Sequence, residues 1–233
     1  MAITPRSSWQ VFDQIAPRYD LLNRLLSLRQ DVLWRKAVCR KLPGKKNLQI
    51  VDLATGTGDL AITIAKSHPT SSIIGMDLSS EMLVFAEKKI KSLGLKKRIT
   101  LQKGDAAEPD LPPNTFDAVT IAFGIRNTPD PEAVLRAMKT LLKPGGKALV
   151  LEFSTPTSRL FRLIFLAYFR HILPKIGGLI SGHSEAYHYL NQSAEKFPYG
   201  QAFADWMRNA GFSEVAFRPL SFGIATLYWG TKP

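Results

Sequence analysis

The sequence predicts a single α/β domain built on a doubly wound, mostly parallel sheet of seven strands. From residue 48 onward, short apolar runs alternate with amphipathic helical segments, and this alternation gives a parallel sheet with helices on both faces. The chain has 233 residues, of which 45% are hydrophobic, and this is enough for one substantial core. We therefore treat residues 1–233 as one domain, with a helical arm at 8–42 and an insertion at 155–200.

A helical arm is predicted at the start of the chain. Apolar side chains between Val11 and Val38 recur at three- and four-residue steps, which is the spacing of one helix face. The pattern indicates two or three helices over residues 8–42. Pro43 and Gly44 end the arm, because this pair interrupts helical geometry and a new pattern begins after it.

Five strands and three helices are predicted between the arm and the insertion. The strands are 48–53, 72–77, 99–103, 116–122 and 147–153. The helices are 59–66, 80–93 and 131–142. Ser80 is the predicted N-cap of the second helix, and Pro144-Gly145-Gly146 closes the third. The carboxyl ends of the strands form the edge at which ligands bind in this architecture.

The insertion at 155–200 interrupts the alternation and is expected on the substrate side of the fold. A last helix follows at 201–210, and Gly211 ends it. Two short strands are predicted at 213–218 and 222–229. A terminal hairpin of this kind places one antiparallel strand in the sheet.

Composition restricts the possible partners and cofactors. The formal net charge of +12 favours contact with polyanions, either nucleic acid or an anionic membrane face. The single cysteine, Cys39, rules out an internal disulfide, and no metal is expected because the histidines show no ligand spacing. No apolar run approaches the ~20 residues of a membrane span, and no signal-peptide pattern is present. We expect a cytoplasmic protein that is at most peripheral at the inner face of the membrane.

A glycine-rich turn follows the first strand. It reads Asp52-Leu53-Ala54-Thr55-Gly56-Thr57-Gly58-Asp59. The two glycines let the backbone approach a ligand closely at the carboxyl edge. Taken alone this signal is weak, since the turn also satisfies the loose dinucleotide fingerprint, and Asp77 could hold a ribose diol in either case.

The charges around this turn favour S-adenosylmethionine over a dinucleotide. A pyrophosphate would be repelled by Asp59, whereas a sulfonium and an ammonium suit carboxylates. No Lys or Arg lies between Asn47 and Ala65, so we expect the acids there to be kept away from the chain's many cations. Each aspartate has a structural alternative as a turn or helix-cap residue. The cofactor-binding residues that we predict on this basis are Asp52, Gly56, Thr57, Gly58, Asp77, Asp105 and Ala106.

Several segments resemble known families. The glycine-rich turn, Asp77, Gly104-Asp105-Ala106 and Lys143-Pro144-Gly145-Gly146 together resemble the class I methyltransferase superfamily. Over roughly residues 10–230 the chain resembles the ubiquinone/menaquinone-biosynthesis C-methyltransferases. The matching segments are Tyr19-Asp20-Leu21-Leu22-Asn23 with Trp34, Phe123-Gly124-Ile125-Arg126-Asn127, Leu142 to Ser154, Leu173-Pro174-Lys175-Ile176-Gly177 and Tyr187-His188-Tyr189-Leu190.

The chain departs from the pattern of this family at several positions. Asp31 replaces a His, Leu22 replaces a Met, and Thr140-Leu141 stands where Arg-Val is usual. Ala122 replaces a Ser that the family uses near the cofactor, and we place Ala122 among the cofactor-binding residues. These differences put one cofactor hydrogen bond and any role of position 31 in doubt, but they leave the core motifs intact.

The resemblance implies methylation of a ring carbon of a prenylated quinol, most simply demethylmenaquinol, or of a ubiquinone precursor. A quinol carbon becomes nucleophilic when the neighbouring hydroxyl, of pKa ~10, loses its proton. Arg126 would stabilise the resulting phenolate, or else form a structural ion pair. Asn127 would orient the same oxygen, and Glu152 or Ser154 would order the ring or a catalytic water. In the insertion, Tyr187 would hydrogen-bond the quinol, His183 is a candidate base by its intrinsic pKa, and His171 is expected to be structural. The identity of the general base stays open.

Other partners and functions stay open as well. The apolar segment 160–180 carries interleaved cations, which predicts contact with an anionic membrane, or else a lid packed on its own domain. The segment 123–127 lacks the Asn/Asp-Pro-Pro-Tyr/Phe pattern of many base methyltransferases, so we expect no nucleic-acid partner. The rival functions are an RNA or small-molecule methyltransferase, a nicotinamide-dependent reductase and a non-catalytic quinone-binding partner. A homodimer is a further possibility.

Overall fold

The computed structural model describes residues 8–156, 158–168, 193–194 and 196–233. The strands are β1 (Gln49–Leu53), β2 (Ser72–Asp77), β3 (Ile99–Lys103), β4 (Phe116–Ala122), β5 (Leu142–Phe153), β6 (Ser213–Leu220) and β7 (Ala225–Thr231). They form one seven-stranded sheet in the order β3-β2-β1-β4-β5-β7-β6. The first five strands pair in parallel, and β7 lies antiparallel between β5 and β6. The predicted fold class and the single antiparallel strand are confirmed.

Helices cover both faces of this sheet. They are α1 (Ser8–Leu26), α2 (Gln30–Cys39), α3 (Asp59–Ser67), α4 (Ser80–Ser92), α5 (Pro131–Leu141), α6 (Arg159–Ala167) and α7 (Gln201–Asn209). The predicted arm therefore contains two helices, α1 and α2. Trp34, Ile64 and Ile90 bring α2, α3 and α4 into the core on one face. Met138 of α5 and Phe203 of α7 lie in the core on the other face.

Two expectations about local structure are wrong. Ser79, not Ser80, caps α4: its backbone is extended, and its hydroxyl accepts a hydrogen bond from the Met82 N–H at 3.0 Å. Strand β5 begins at Leu142, five residues before the predicted start, because Leu142 already pairs with Phe116. The Pro-Gly-Gly segment is therefore an irregularity within the strand rather than a turn before it.

The last two strands also differ from the sequence expectation at their ends. Strand β6 continues to Leu220, and a short 3-10 turn, Ser221–Gly223, takes up the start of the predicted second strand. Strand β7 then begins at Ala225 and continues to Thr231. None of the described helices is long and apolar enough to cross a membrane.

Candidate active site

The glycine-rich turn connects β1 to α3 in a left-handed backbone conformation. Gly56 has φ +57° and Gly58 has φ +79°, values that residues with a side chain rarely adopt. A Cβ on Gly58 would lie 3.3 Å from the Ala86 Cβ, so Gly58 also lets α4 pack closely. Around a Cβ on Gly56, the described part of the chain leaves open space within 4 Å. A ligand can therefore approach the backbone at Gly56.

Asp77, at the end of β2, holds this turn in place. One carboxylate oxygen accepts a hydrogen bond from the Gly56 N–H at 2.7 Å, and the other accepts from the Ser79 N–H at 2.9 Å. Burial raises the pKa of Asp77, these N–H donors oppose that effect, and the nearby carboxylate of Asp13 adds to it. The arrangement keeps a carboxylate at the open side of the turn.

Asp52 lies beneath the turn with 1% of its surface exposed. Its two oxygens accept hydrogen bonds from the hydroxyls of Thr55 and Thr120, both at 2.6 Å. Burial raises the pKa of Asp52 to about 6, against the effect of the two hydroxyls. Asp52 thus orders the turn through its hydrogen bond with Thr55. With a pKa of about 6, its carboxyl group changes protonation state just below neutral pH.

The remaining predicted cofactor residues lie at the same edge. Asp105 is half-buried after β3, and one of its oxygens accepts a hydrogen bond from the Ala107 N–H at 2.9 Å. Ala106 is buried, and Ala122 is half-buried at the end of β4. The Thr57 hydroxyl donates to Asp20 of α1 at 2.6 Å. The topology brings these residues together at the carboxyl edge, while their contacts with the cofactor stay a prediction.

The expectation that Asp59 is kept away from cations is wrong. Its carboxylate lies 2.6 Å from Arg24, 3.5 Å from Arg35 and 2.5 Å from Lys89. Burial raises the pKa of Asp59, but these three cations outweigh that effect and hold the pKa at about 2. They come from α1, α2 and α4, so the absence of Lys and Arg within the turn itself gave no protection. Asp59 anchors the arm instead of leaving its charge for a cationic ligand.

The arm therefore packs against the cofactor turn through an ionic network. Asp20 accepts hydrogen bonds from Thr57 and, at 2.7 Å, from Lys89. Asp31, at the position where the related family usually has His, pairs with Arg35 at 2.6 Å and also contacts Arg24. Sequence reasoning missed Arg24, Arg35 and Lys89 as part of this region. The one local signal was the spacing of Asp31 and Arg35, four residues apart on α2.

Arg126 and Glu152 form a buried ion pair where β4 and β5 end. Arg126 Nη1 donates to Glu152 Oε1 at 2.6 Å and to the Phe123 carbonyl at 2.8 Å. The Asn127 amide donates to the same carbonyl at 3.2 Å, and Glu152 Oε1 also accepts from the Phe153 N–H. Burial raises the pKa of Glu152, and Arg126 opposes that effect. Three of the predicted catalytic residues are thus brought together.

The pair also leaves hydrogen-bonding capacity unused. Within the described residues, Arg126 Nε and Glu152 Oε2 are buried and have no hydrogen-bond partner. Only 4% of the Arg126 side chain and 1% of the Glu152 side chain are exposed. A buried polar atom without a partner costs about 1–3 kcal/mol, so such atoms are expected where a ligand completes the site.

The backbone beside this pair is strained. Phe123 has φ +58° and Ala54 has φ +48°, both in the left-handed region that residues with a side chain avoid. Gly124 follows Phe123, and a Cβ on Gly124 would lie 2.6 Å from the Ala54 Cβ. The ends of β1 and β4 are therefore held close together, which joins the glycine-rich turn to the Arg126–Glu152 pair. Sequence alone gave no signal of this strain.

An aromatic cluster lies beside the Arg126–Glu152 pair. Phe123 and Phe153 have ring centroids 4.5 Å apart, and Trp34 of α2 lies 5.9 Å from Phe123 and 6.1 Å from Phe153. The Arg126 guanidinium lies 5.1 Å from the centroid of the Phe153 ring. Burial raises the pKa of Tyr19 in α1, whereas nearby groups, including Arg126, lower it. The arm therefore contributes apolar walls beside the charged pair.

One predicted catalytic residue, Tyr187, lies outside the described residues, as do His171 and His183. Ser154, considered for the same role, is engaged elsewhere. Its hydroxyl donates to the Gly223 carbonyl at 2.8 Å and lies 2.7 Å from the Thr226 hydroxyl. Ser154 thus connects β5 to the turn before β7.

Fold and site together define a class I methyltransferase that uses S-adenosylmethionine. The sequence model of the ubiE/COQ5 methyltransferase family matches residues 4–232. The chain belongs to this family.

Curated relatives resemble the chain over most of their length. It is 45% identical over 223 residues to the ubiquinone/menaquinone biosynthesis C-methyltransferase UbiE of Geobacter sulfurreducens, covering 95% of this chain and 87% of the relative. It is 44% identical over 223 residues to the demethylmenaquinone methyltransferase of Thermus thermophilus, covering 96% of this chain and 100% of the relative.

Solved structures support the fold. A SAM-dependent methyltransferase from Thermotoga maritima, described as a possible histamine N-methyltransferase, has a TM-score of 0.70 at 21% identity and covers 97% of this chain and 100% of its own. Phosphoethanolamine N-methyltransferase 2 of Haemonchus contortus, in complex with S-adenosyl-L-methionine, has a TM-score of 0.63 at 16% identity and covers 85% of this chain and 52% of its own. At these identities the likeness extends to the fold alone.

Proposed function

We propose that this protein transfers a methyl group from S-adenosylmethionine to a ring carbon of a prenylated quinol. Demethylmenaquinol is the acceptor we propose first, and a ubiquinone precursor is the second. The observation that carries the proposal is the buried Arg126–Glu152 pair beside an aromatic cluster, next to an acidic glycine-rich turn. The names of the Geobacter and Thermus relatives support the acceptor class.

The residues at the turn fit the cofactor. The open space at Gly56 would give the ligand access to the backbone, and Asp77 would accept hydrogen bonds from ribose hydroxyls. Asp105 would accept from the adenine amine, and Asp52 adds negative charge beneath the turn. When bound, S-adenosylmethionine would supply the electrophilic methyl group.

The acceptor side fits a phenolic ring. Arg126, in its ion pair with Glu152, would stabilise a phenolate oxygen, and the phenolate makes the adjacent ring carbon electron-rich. Asn127 and Glu152 would orient the ring or an ordered water, and Tyr187 would hydrogen-bond the quinol. Trp34, Phe123 and Phe153 offer flat apolar surface for the ring.

Cofactor binding and turnover test this proposal. Isothermal titration should show binding of S-adenosylmethionine and none of NADH. With demethylmenaquinol added, mass spectrometry should find a quinol heavier by one CH₂ unit, because a methyl group replaces a ring hydrogen. Methylation of RNA but not of the quinol would support an RNA methyltransferase instead. Binding of cofactor and quinol without any product would support a non-catalytic quinone-binding partner.

We also propose that the protein contacts an anionic membrane face peripherally, from the cytoplasm, to reach its prenylated substrate. Helix α6 exposes the side chains of Arg159 and Arg162, and 69% of Leu163 is exposed. Exposed cations beside apolar side chains suit an anionic lipid surface, where each cation contributes about 1 kcal/mol.

Vesicle co-sedimentation tests the membrane contact. The variant with Arg159, Arg162 and Arg170 all replaced by Ala should bind phosphatidylglycerol vesicles roughly a hundredfold more weakly than wild type. The control variant replaces the exposed Lys91, Lys96 and Lys97 by Ala, which removes the same amount of charge elsewhere, and it should bind like wild type. Equal binding by the wild type and the α6 variant would contradict the proposal.

A further inference from the structure

The buried pair Arg126–Glu152 has an asymmetric hydrogen-bond pattern. Glu152 Oε1 accepts hydrogen bonds from the Arg126 guanidinium, at 2.6 Å, and from the Phe153 N–H, at 2.7 Å. Within the described part of the chain, Glu152 Oε2 and Arg126 Nε have no hydrogen-bond partner. Each of these two atoms shares a carbon with an atom of the ion pair, so both belong to the two charged groups that form the contact.

A ligand that satisfies both atoms must donate a hydrogen bond to a carboxylate oxygen and accept one from a guanidinium N–H. A hydroxyl group does both, since it carries one donor and two acceptor lone pairs. The quinol of the proposed function has such a hydroxyl beside the ring carbon that would be methylated. The pair therefore offers one oxygen to the proton of the hydroxyl and one N–H to its oxygen.

We propose that Glu152 is the general base of the reaction and that its Oε2 removes the quinol hydroxyl proton while Arg126 Nε holds the resulting oxygen. This inference rests on the proposed function and adds the identity of the base. It gives a distinct task to each member of the ion pair: Glu152 accepts the proton and Arg126 holds the negative charge that forms.

The proposed step balances in protons and electrons. The O–H bond breaks, its proton goes to Glu152, and its electron pair stays on the oxygen and spreads to the adjacent ring carbon. That carbon forms a bond to the methyl group, and the methyl–sulfur bond breaks with its electron pair left on sulfur. The ring carbon then loses its proton to solvent as the ring becomes aromatic again, the ring oxygen regains a proton, and Glu152 releases its own.

Three other acids described at the carboxyl edge, Asp52, Asp77 and Asp59, are less suited to this step. Both oxygens of Asp52 accept hydrogen bonds from hydroxyls, and both oxygens of Asp77 accept hydrogen bonds from backbone N–H groups. Asp59 is held ionised by three cations, which makes it a poor base. On Glu152 burial outweighs the opposing effect of Arg126, so the pKa of this carboxyl is raised towards the pKa of the phenol, whereas the pKa of Asp59 is lowered.

The first test replaces Glu152 by Gln and measures turnover of demethylmenaquinol. The expected result is a loss of roughly 10²- to 10⁴-fold in kcat with an unchanged Kd for S-adenosylmethionine, since a positioned general base contributes that much. A fluorinated quinol with a more acidic hydroxyl should recover much of the loss, because it needs less help from a base. The control Glu132→Gln, on the exposed surface of α5, should behave like wild type with both quinols.

A second variant, Glu152→Asp, keeps the charge opposite Arg126 and moves the carboxylate back by one methylene. It should lower kcat, keep the Kd for S-adenosylmethionine and show a smaller deficit with the acidic quinol. Should the Gln variant not fold, the Asp variant decides the question. Wild-type kcat in either folded variant, or an equal deficit with both quinols, would overturn the assignment of Glu152. An inactive wild type would instead overturn the proposed function.

Discussion

The guanidinium of Arg24 in α1 lies 2.6 Å from the carboxylate of Asp59, the first residue of α3. Arg35 and Lys89 approach the same carboxylate from α2 and α4. The helical arm and the cofactor turn are thus one electrostatic unit. We expect the negative charge that faces a cationic cofactor to come from Asp77, Asp52 and Asp105 rather than from Asp59.

The Asp59 network should make stability depend on pH in acid. The pKa of Asp59 is about 2 in the folded protein and 3.8 as an ordinary value. A depressed pKa stabilises the folded state above the unfolded pKa, and that stability is lost as the pH falls from about 4 towards 2. We expect Asp59→Asn to remove roughly 2 kcal/mol at pH 7 and to flatten this part of the profile.

Urea unfolding at a series of pH values measures this effect. The exposed Asp205 pairs with Arg208 at the surface of α7, so Asp205→Asn is a matched control. It should leave both the free energy of unfolding at pH 7 and its dependence on acid close to wild type. Equal profiles for the Asp59 and Asp205 variants would show that the network does not stabilise the fold.

Cofactor binding should be linked to ionisation of Asp52. Its pKa of about 6 means that much of it is protonated at pH 5, and a bound cation favours the ionised form. We expect affinity for S-adenosylmethionine to fall by up to tenfold per pH unit below pH 6, with a proton released on binding. Isothermal titration in buffers of different ionisation enthalpy measures that release. In Asp52→Asn fewer protons should be released on binding. We assign the protons that are still released to Asp77, whose pKa is also raised. A wild type that binds without releasing a proton at pH 6 would refute the linkage.

The buried pair should respond to substitution in a non-additive way. Arg126→Gln leaves the Glu152 carboxylate buried without its cation, which is expected to cost about 3–5 kcal/mol. Replacing both residues by Gln removes both charges, so the double variant should be more stable than Arg126→Gln. Urea unfolding of the wild type, Arg126→Gln, Glu152→Gln and the double variant gives the coupling energy. Additive losses would mean that the two charges do not depend on each other for burial.

The contact between Gly124 and Ala54 should tie the cofactor turn to the acceptor side. A methyl group on Gly124 would meet Ala54 at 2.6 Å, so Gly124→Ala is expected to destabilise the fold by about 1–3 kcal/mol and to weaken cofactor binding. Gly44→Ala is the control, because the described residues leave open space at that Cβ. Thermal unfolding and titration compare the two variants. If Gly124→Ala binds S-adenosylmethionine with wild-type affinity, the contact between Gly124 and Ala54 does not couple the two parts of the site.

The sequence predicted elements that depend on local patterns. The apolar runs of β1, β2 and β4 and the position of Gly56 after β1 are properties of a few neighbouring residues. The start of β5 was missed because Pro144 and its glycines are typical of a turn, whereas pairing with β4 holds them within the strand. The N-cap of α4 was displaced by one residue because two serines are adjacent, and only the backbone angles distinguish them.

The charged surroundings of the site could not be predicted in the same way. Asp59 and Arg24 are 35 residues apart in sequence, and Asp59 and Lys89 are 30 apart, so no local pattern joins them. The predicted role of Arg126 was to stabilise a phenolate, with a structural ion pair as the alternative. The structure shows the ion pair with Glu152. Because Arg126 Nε has no hydrogen-bond partner among the described residues, the ion pair is compatible with phenolate stabilisation by the same side chain.

The most direct test of the central claim is transfer of a ¹³C-labelled methyl group from S-adenosylmethionine to demethylmenaquinol, followed by NMR of the product. The account predicts that the label is bonded to the ring carbon next to a hydroxyl-bearing carbon. A label on a quinol oxygen, or a quinol that stays unlabelled while the protein binds the cofactor, would contradict it.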